Sequence, residues 1–232
     1  MKTTNTDKVR DMSKQLLRAV PITPVKGFEF IVQHPFTNSP VSMSRKGRML
    51  DLTNKKDYDE WIGIVEELID QASVSHILYC MLNTPWNLTW LDFVKDYLSE
   101  KDFAVFLGHS WVEQENPNMD ANVSNGEVVK WFKAANKKYL MSKEDYEHWK
   151  SLPEKITLYR GVGRGRKELG LSWTENKAKA EWFRDRWCTE SIKGKLLQVT
   201  ADKKHCLCYF NSRGEHEIVL DVQAVKNLIQ EI

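Results

Sequence analysis

The chain has 232 residues, 41% hydrophobic and 28% charged, with 34 Lys and Arg against 32 Asp and Glu for a formal net charge of +2. That balance excludes a disordered chain, a collagen and a coiled coil. It also falls short of the strongly basic footprint of a dedicated nucleic-acid binder, so nucleic acid is not expected as a partner. The longest uninterrupted apolar run is Ile77 to Leu82, against the roughly 18 to 20 residues that cross a bilayer, so no membrane partner is expected. The first residues carry no apolar signal block, and four Cys in this length read as reduced thiols, so the expected address is cytoplasmic.

In chain order, Val9, Met12, Leu16 and Val20 recur at helical spacing on a basic N-terminal segment, which predicts a first amphipathic helix. Residues 21 to 56 are punctuated by Pro, with Phe28 to Gln33 as a candidate strand. Trp61, Ile64, Val65, Leu68, Ile69 and Ala72 predict a second helix behind an Asp57-x-x-Glu60 capping box. Leu91, Val94 and Leu98 give another, entered near Asn87 or Thr89, and Phe103 to Trp111 another. Val128, Phe132, Ala135 and Tyr139 mark a helix entered at Ser124 or Asn125, and a shorter one follows Ser142.

All seven Pro lie at or before Pro153, and six of the eleven Gly fall from Gly161 onward. The change predicts a boundary near 150, with a helical lobe over 1–150 and a β core over 151–232. Short β-type runs follow: Ile156 to Tyr159, Leu171 to Trp173, Lys195 to Thr200, Cys206 to Phe210 and Glu217 to Leu220. One helix interrupts them, capped by Thr174 and burying Ala180, Phe183 and Trp187, and Val222 to Ile232 is expected to close the chain as a helix. The expected class is α+β, a helical N-terminal portion packed on a compact, mostly antiparallel β core.

Four segments could carry chemistry. Tyr159 to Lys167 is Gly-rich but fits neither phosphate-loop template: a dinucleotide fingerprint needs Gly where Arg166 stands, and a P-loop needs Ser or Thr where Glu168 stands. Arg160, at the end of an apolar strand and followed by Gly161, can fork onto phosphate oxygens, or it is a surface Arg before a loop. Read as a strand, Glu215 to Leu220 puts Glu215 and Glu217 on one face and His216 on the other, a carboxylate pair suited to acid/base work or to stabilising a cation, or a solvated strand start. Ser172 and Thr174 flank Trp173 with two hydroxyls facing one way, without the elbow of a nucleophilic Ser. The run His205, Cys206, Cys208 with His216 matches no common zinc spacing, so no metal is expected.

Taken in order, Leu-Tyr-Arg-Gly, Leu-Ser-Trp-Thr and Glu-His-Glu-Ile-Val-Leu resemble the arginine, serine and glutamate motifs of mono-ADP-ribosyltransferases over Ile156 to Leu220. The resemblance implies an ADP-ribosyltransferase-like core that uses NAD as substrate and passes ADP-ribose to a protein. On it, Arg160 contacts the NAD phosphates and nicotinamide ribose, and Gly161 backbone groups hold the nicotinamide amide. Ser172, with Thr174 beside it, braces the catalytic carboxylate Glu217, and Glu215 faces the acceptor, as in arginine-modifying members. The central motif reads Ser-Trp-Thr where many relatives have Ser-Thr-Ser, and the aromatic contact to nicotinamide is open among Trp173, Trp182, Phe183 and Tyr209. Two alternatives remain: water as acceptor, which makes the chain an NAD glycohydrolase, or an inactive module that binds a protein or single-stranded nucleic acid.

Overall fold

A computed structural model describes residues 2–186, 188–189 and 193–232. It is an α+β structure whose chain divides into two compact units, residues 1–115 and 116–232. No helix among the described residues is long and apolar enough to cross a membrane.

The first unit begins with α1 (Thr6–Ala19), capped by Asn5, whose side chain accepts from Lys8 N. Its buried stripe is Val9, Ser13, Leu16 and Leu17, while its basic residues meet acids: Lys14 pairs with Asp70 at 2.7 Å and Arg18 with Glu66 at 2.6 Å. Two small hairpins follow, β1 (Pro24–Val25) with β2 (Phe28–Val32), and β3 (Val41–Met43) with β4 (Met49–Asp51). Helix α2 (Lys55–Gln71) buries Trp61, Ile62, Val65 and Ile69. Its cap is Asn54 rather than an Asp57 box, because Asp57 instead accepts from Asp51 N and from Arg48. The short α3 (Val74–His76), α4 (Asn87–Val94) and α5 (Glu100–Glu113) complete the unit, α5 capped by Ser99.

The second unit opens with helices α6 (Asn125–Ala134), α7 (Lys137–Leu140) and α8 (Lys143–Ser151), capped by Ser124, Asn136 and Ser142. The single helix expected over Val128 to Tyr139 is therefore two, because Asn136 caps a new start. A six-stranded antiparallel sheet follows, in the order β10-β7-β5-β6-β9-β8. Its strands are β5 (Lys155–Val162), β6 (Ser172–Thr174), β7 (Lys195–Asp202), β8 (Cys206–Phe210), β9 (Glu217–Leu220) and β10 (Gln230–Glu231). Helix α9 (Lys177–Asp185) is capped by Asn176, not Thr174, which belongs to β6. Trp187, expected on its buried face, lies outside the described residues.

Two expectations are corrected here. The division falls after Glu115 rather than near 150, so α6 to α8 group with the sheet: Trp149 Nε1 donates to Cys206 O at 2.8 Å, and Phe132 meets Phe210 with ring centroids 6.4 Å apart. The change in Pro and Gly usage marks where helices give way to strands inside one unit. Nor does the chain close as one helix. It turns through α10 (Val222–Val225) and then adds β10 to the edge of β7, with Gln230 opposite Gln198, which satisfies backbone groups that an open edge would leave unpaired.

Candidate functional site

The segments carrying the arginine, serine and glutamate motifs form three neighbouring strands, β5, β6 and β9. Tyr159 stands opposite Thr174, Thr174 opposite Glu217, and Glu217 opposite Phe210, so these four residues form one row across the sheet. Directly opposed residues share a face, and Ser172, opposite Val219, lies on that face one step along β6. Glu217 is only 9% exposed. The Thr174 hydroxyl donates to Glu215 O at 3.0 Å and accepts from Asn176 N at 3.1 Å, so its single proton is spent on the backbone. Ser172 Oγ accepts from Asn118 Nδ2 at 3.0 Å, a bond that leaves the serine proton uncommitted.

Arg160 lies on the buried side of β5, alternating with Tyr159 and aligned with Ile156, Leu158 and Val162. Its guanidinium donates from Nε to Glu168 O at 3.1 Å, from Nη1 to Ser172 O at 2.7 Å and from Nη2 to Lys167 O at 2.8 Å. The reason is visible in the ladder. Strand β5 pairs with β6 only at Tyr159, and Leu171 O is taken by Leu220 N of β9, so Ser172 O turns toward β5 where the guanidinium takes it. Burial lowers the Arg160 pKa to about 10, while the Glu217 carboxylate works in the opposite direction and Arg166 lowers it further. Arg160 thus ties the 167–172 segment to β5, and the field of Glu217 reaches it although the register puts the two on opposite faces.

The strand expected from Glu215 begins at Glu217 instead. A turn closed by Gly214 N onto Asn211 O, followed by φ of 63° and 49° at Gly214 and His216, breaks the extended run, so the alternation that paired the two carboxylates does not operate there. Glu215 sits between that turn and β9, 3.6 Å from the Arg213 guanidinium. His216 N donates to Asn211 Oδ1 at 3.0 Å, and its Nδ1 shares a 2.9 Å hydrogen bond with Tyr209 OH. The Tyr209 ring lies against His148, centroids 4.1 Å apart and tilted by 33°, and His148 Nε2 meets Glu175 Oε1 at 2.8 Å. Burial, then Glu175 and Asp145, push the Tyr209 phenol up to about 12, so it stays protonated beside His216.

Gly161 is explained by packing. A Cβ there would stand 1.9 Å from Ala180 O and 2.4 Å from Arg184 N, so the missing side chain lets α9 lie directly on β5. Of the four aromatics open as nicotinamide contacts, Trp173 and Tyr209 are core residues. Trp182 is 51% exposed on α9 and Phe183 touches it edge to face at 5.0 Å. The two thiols of β8 are buried, which raises Cys206 to about 12 and Cys208 well above the ordinary thiol value.

No protein-family model, no curated protein and no solved structure matches the chain. The site is therefore read from its own geometry. That geometry brings Ser172, Thr174 and Glu217 to one face, puts Glu215 in the irregular segment just before β9, and turns Arg160 and Gly161 to structural work. Sequence reasoning passed over Asn118, which holds Ser172, and the Tyr209 and His148 contacts behind His216. The Asn116-Pro117-Asn118 turn was the only local signal for the first; the others depend on pairings between distant strands and helices.

Proposed function

We propose that the chain is an NAD-dependent mono-ADP-ribosyltransferase that uses Glu217 as its reactive-site carboxylate and a protein arginine as acceptor. The observation that carries this reading is the Thr174–Glu217 pair in the β6–β9 ladder. It joins two segments that resemble the serine and glutamate motifs of that family, with the arginine-motif strand β5 next in the sheet.

The chemistry asks for a carboxylate of this kind. Breaking the bond between nicotinamide nitrogen and ribose C1′ sends the electron pair out with neutral nicotinamide and leaves an oxocarbenium-like ribose. A carboxylate held in a low-dielectric wall stabilises that positive charge and accepts from the ribose 2′-hydroxyl, without reorganising during the reaction. The acceptor nitrogen then bonds C1′ and releases a proton, which Glu215 takes. The Arg213 guanidinium beside Glu215 illustrates the charge that this carboxylate complements. In this reading Arg160 shapes the segment that carries Ser172, with three of its five N–H groups held by carbonyls.

The test is incubation of the wild type and Glu217→Gln with labelled NAD and a cell lysate, with nicotinamide measured in parallel. A labelled protein band lost in the variant supports transfer. Glu217-dependent nicotinamide release without a band makes the chain an NAD glycohydrolase. A second reading, a binding module, draws on the exposed Trp182, flanked by Lys179 Nζ at 5.6 Å and Arg186 at 5.0 Å from its ring. Association that survives Glu217→Gln, with no NAD turnover in either protein, favours that module.

A further inference from the structure

Asn118 is 5% exposed on the single turn Pro117–Met119 and touches the segment that Arg160 also grips at Lys167, Leu171 and Ser172. Its Oδ1 accepts from Leu171 N, its Nδ2 donates to Ser172 Oγ at 3.0 Å, and its main-chain carbonyl accepts from Lys167 Nζ at 3.3 Å. Gly170 makes the convergence possible, because a Cβ there would stand 2.2 Å from Arg160 Nη2 and 3.0 Å from Asn118 Oδ1.

The amide has one orientation. Leu171 N can only donate, so the end that meets it is the carbonyl oxygen, and the amino group is turned onto Ser172. Ser172 Oγ is thereby made an acceptor, and its proton is directed elsewhere. Thr174 has no proton to offer, having given it to Glu215 O. Ser172 shares its face with Glu217, one ladder step away.

We infer that Asn118 is a positioning residue: by occupying Ser172 Oγ as a donor, it aims the serine hydroxyl proton across β6 and β9 at the Glu217 carboxylate. The inference rests on the reading of Glu217 as the reactive-site carboxylate. It adds a residue outside the three motif segments, acting through Ser172.

The experiment is an NMR pH titration of the full chain carrying carbon-13 at Glu side-chain carboxyls, with the Glu217 signal assigned by its loss in Glu217→Gln. Wild type, Asn118→Ala, Ser172→Ala and the double variant form a cycle. Both single changes raise the Glu217 titration midpoint, since each removes donation to the charged form, and the double variant shifts no further than Ser172→Ala. A midpoint unmoved by Asn118→Ala, or shifts that add, overturns the inference.

Asn118→Asp guards against misfolding, because it keeps the acceptor for Leu171 N and removes only the donor. Its new charge acts in either background, whereas the lost donor acts only where Ser172 is present, so its shift is smaller in the Ser172→Ala background. Equal shifts in both backgrounds overturn the inference. NAD turnover is read on the same proteins. Absence of turnover in the wild type overturns the enzymatic reading alone, because the titration cycle reports the hydrogen bond without any reaction.

Discussion

Thr174 stands directly across from Glu217 in the β6–β9 ladder, yet its hydroxyl donates to the main-chain carbonyl of Glu215. The threonine therefore secures the segment that enters β9 at Glu217. Thr174→Val keeps the shape and removes the hydroxyl, leaving Glu215 O and Asn176 N without this partner. The expected cost is about 1–3 kcal/mol, read as a lowered urea midpoint with an unchanged slope.

Arg160→Lys should be far from conservative. Lys cannot reproduce a rigid fork that meets the carbonyls of Lys167, Glu168 and Ser172 at once. Losing two or more of these hydrogen bonds to a charged group is expected to cost about 3 kcal/mol. Denaturant unfolding checks this; a change under about 1 kcal/mol, the size of one ordinary hydrogen bond, would show that the fork is dispensable.

Gly161→Ala separates packing from ligand contact. The added methyl meets Ala180 O and Arg184 N, both backbone atoms of α9, so the helix must move off the strand. Overpacking of this kind costs about 1–3 kcal/mol, and calorimetry should find a lower Tm before any ligand is added.

In the first unit, His34 should set a pH limit. It is fully buried, with Nε2 3.1 Å from Leu17 O and Nδ1 accepting from Phe36 N, and burial lowers its pKa from 6.5 to about 4. The folded state holds the neutral ring, so between pH 6.5 and 4 the unfolded chain binds more protons. Stability is fully present above about 6.5 and falls as the pH drops toward about 4, by about 3 kcal/mol in all. Urea midpoints across that range check it, and His34→Gln should flatten this part of the profile.

Glu217→Gln is nearly isosteric, so the fold should be retained while transfer or hydrolysis falls by about 100- to 1,000-fold, the usual loss of one electrostatic group aimed at a transition state. Initial rates of nicotinamide release, with the circular dichroism spectrum as the control, give the answer.

Much of this protein is written in local pattern. Helices α1 and α2 follow from apolar spacing, and Ser124 and Ser142 cap where their side chains predict, because both signals act within a few residues. The strands of the second unit are likewise legible as apolar runs bounded by turns. The motif residues were found by type and order, which is chemistry that a linear chain displays.

Tertiary structure decided where each of them lies and what it bonds. Whether Glu215 shares the face of Glu217 depended on the positive φ of His216, which Tyr209 and Asn211 support from outside the segment. Whether Arg160 is open or spent depended on where β5 and β6 part after a single pair. The need for Gly161 came from a helix that follows it in sequence, and the donor to Ser172 came from Asn118, far upstream. Local pattern encodes which backbone an element adopts, because propensity and periodicity act over a few residues. Which hydrogen-bonding groups remain free is settled only when distant strands pair, since every buried donor and acceptor must find a partner and the nearest one in space is seldom the nearest in sequence.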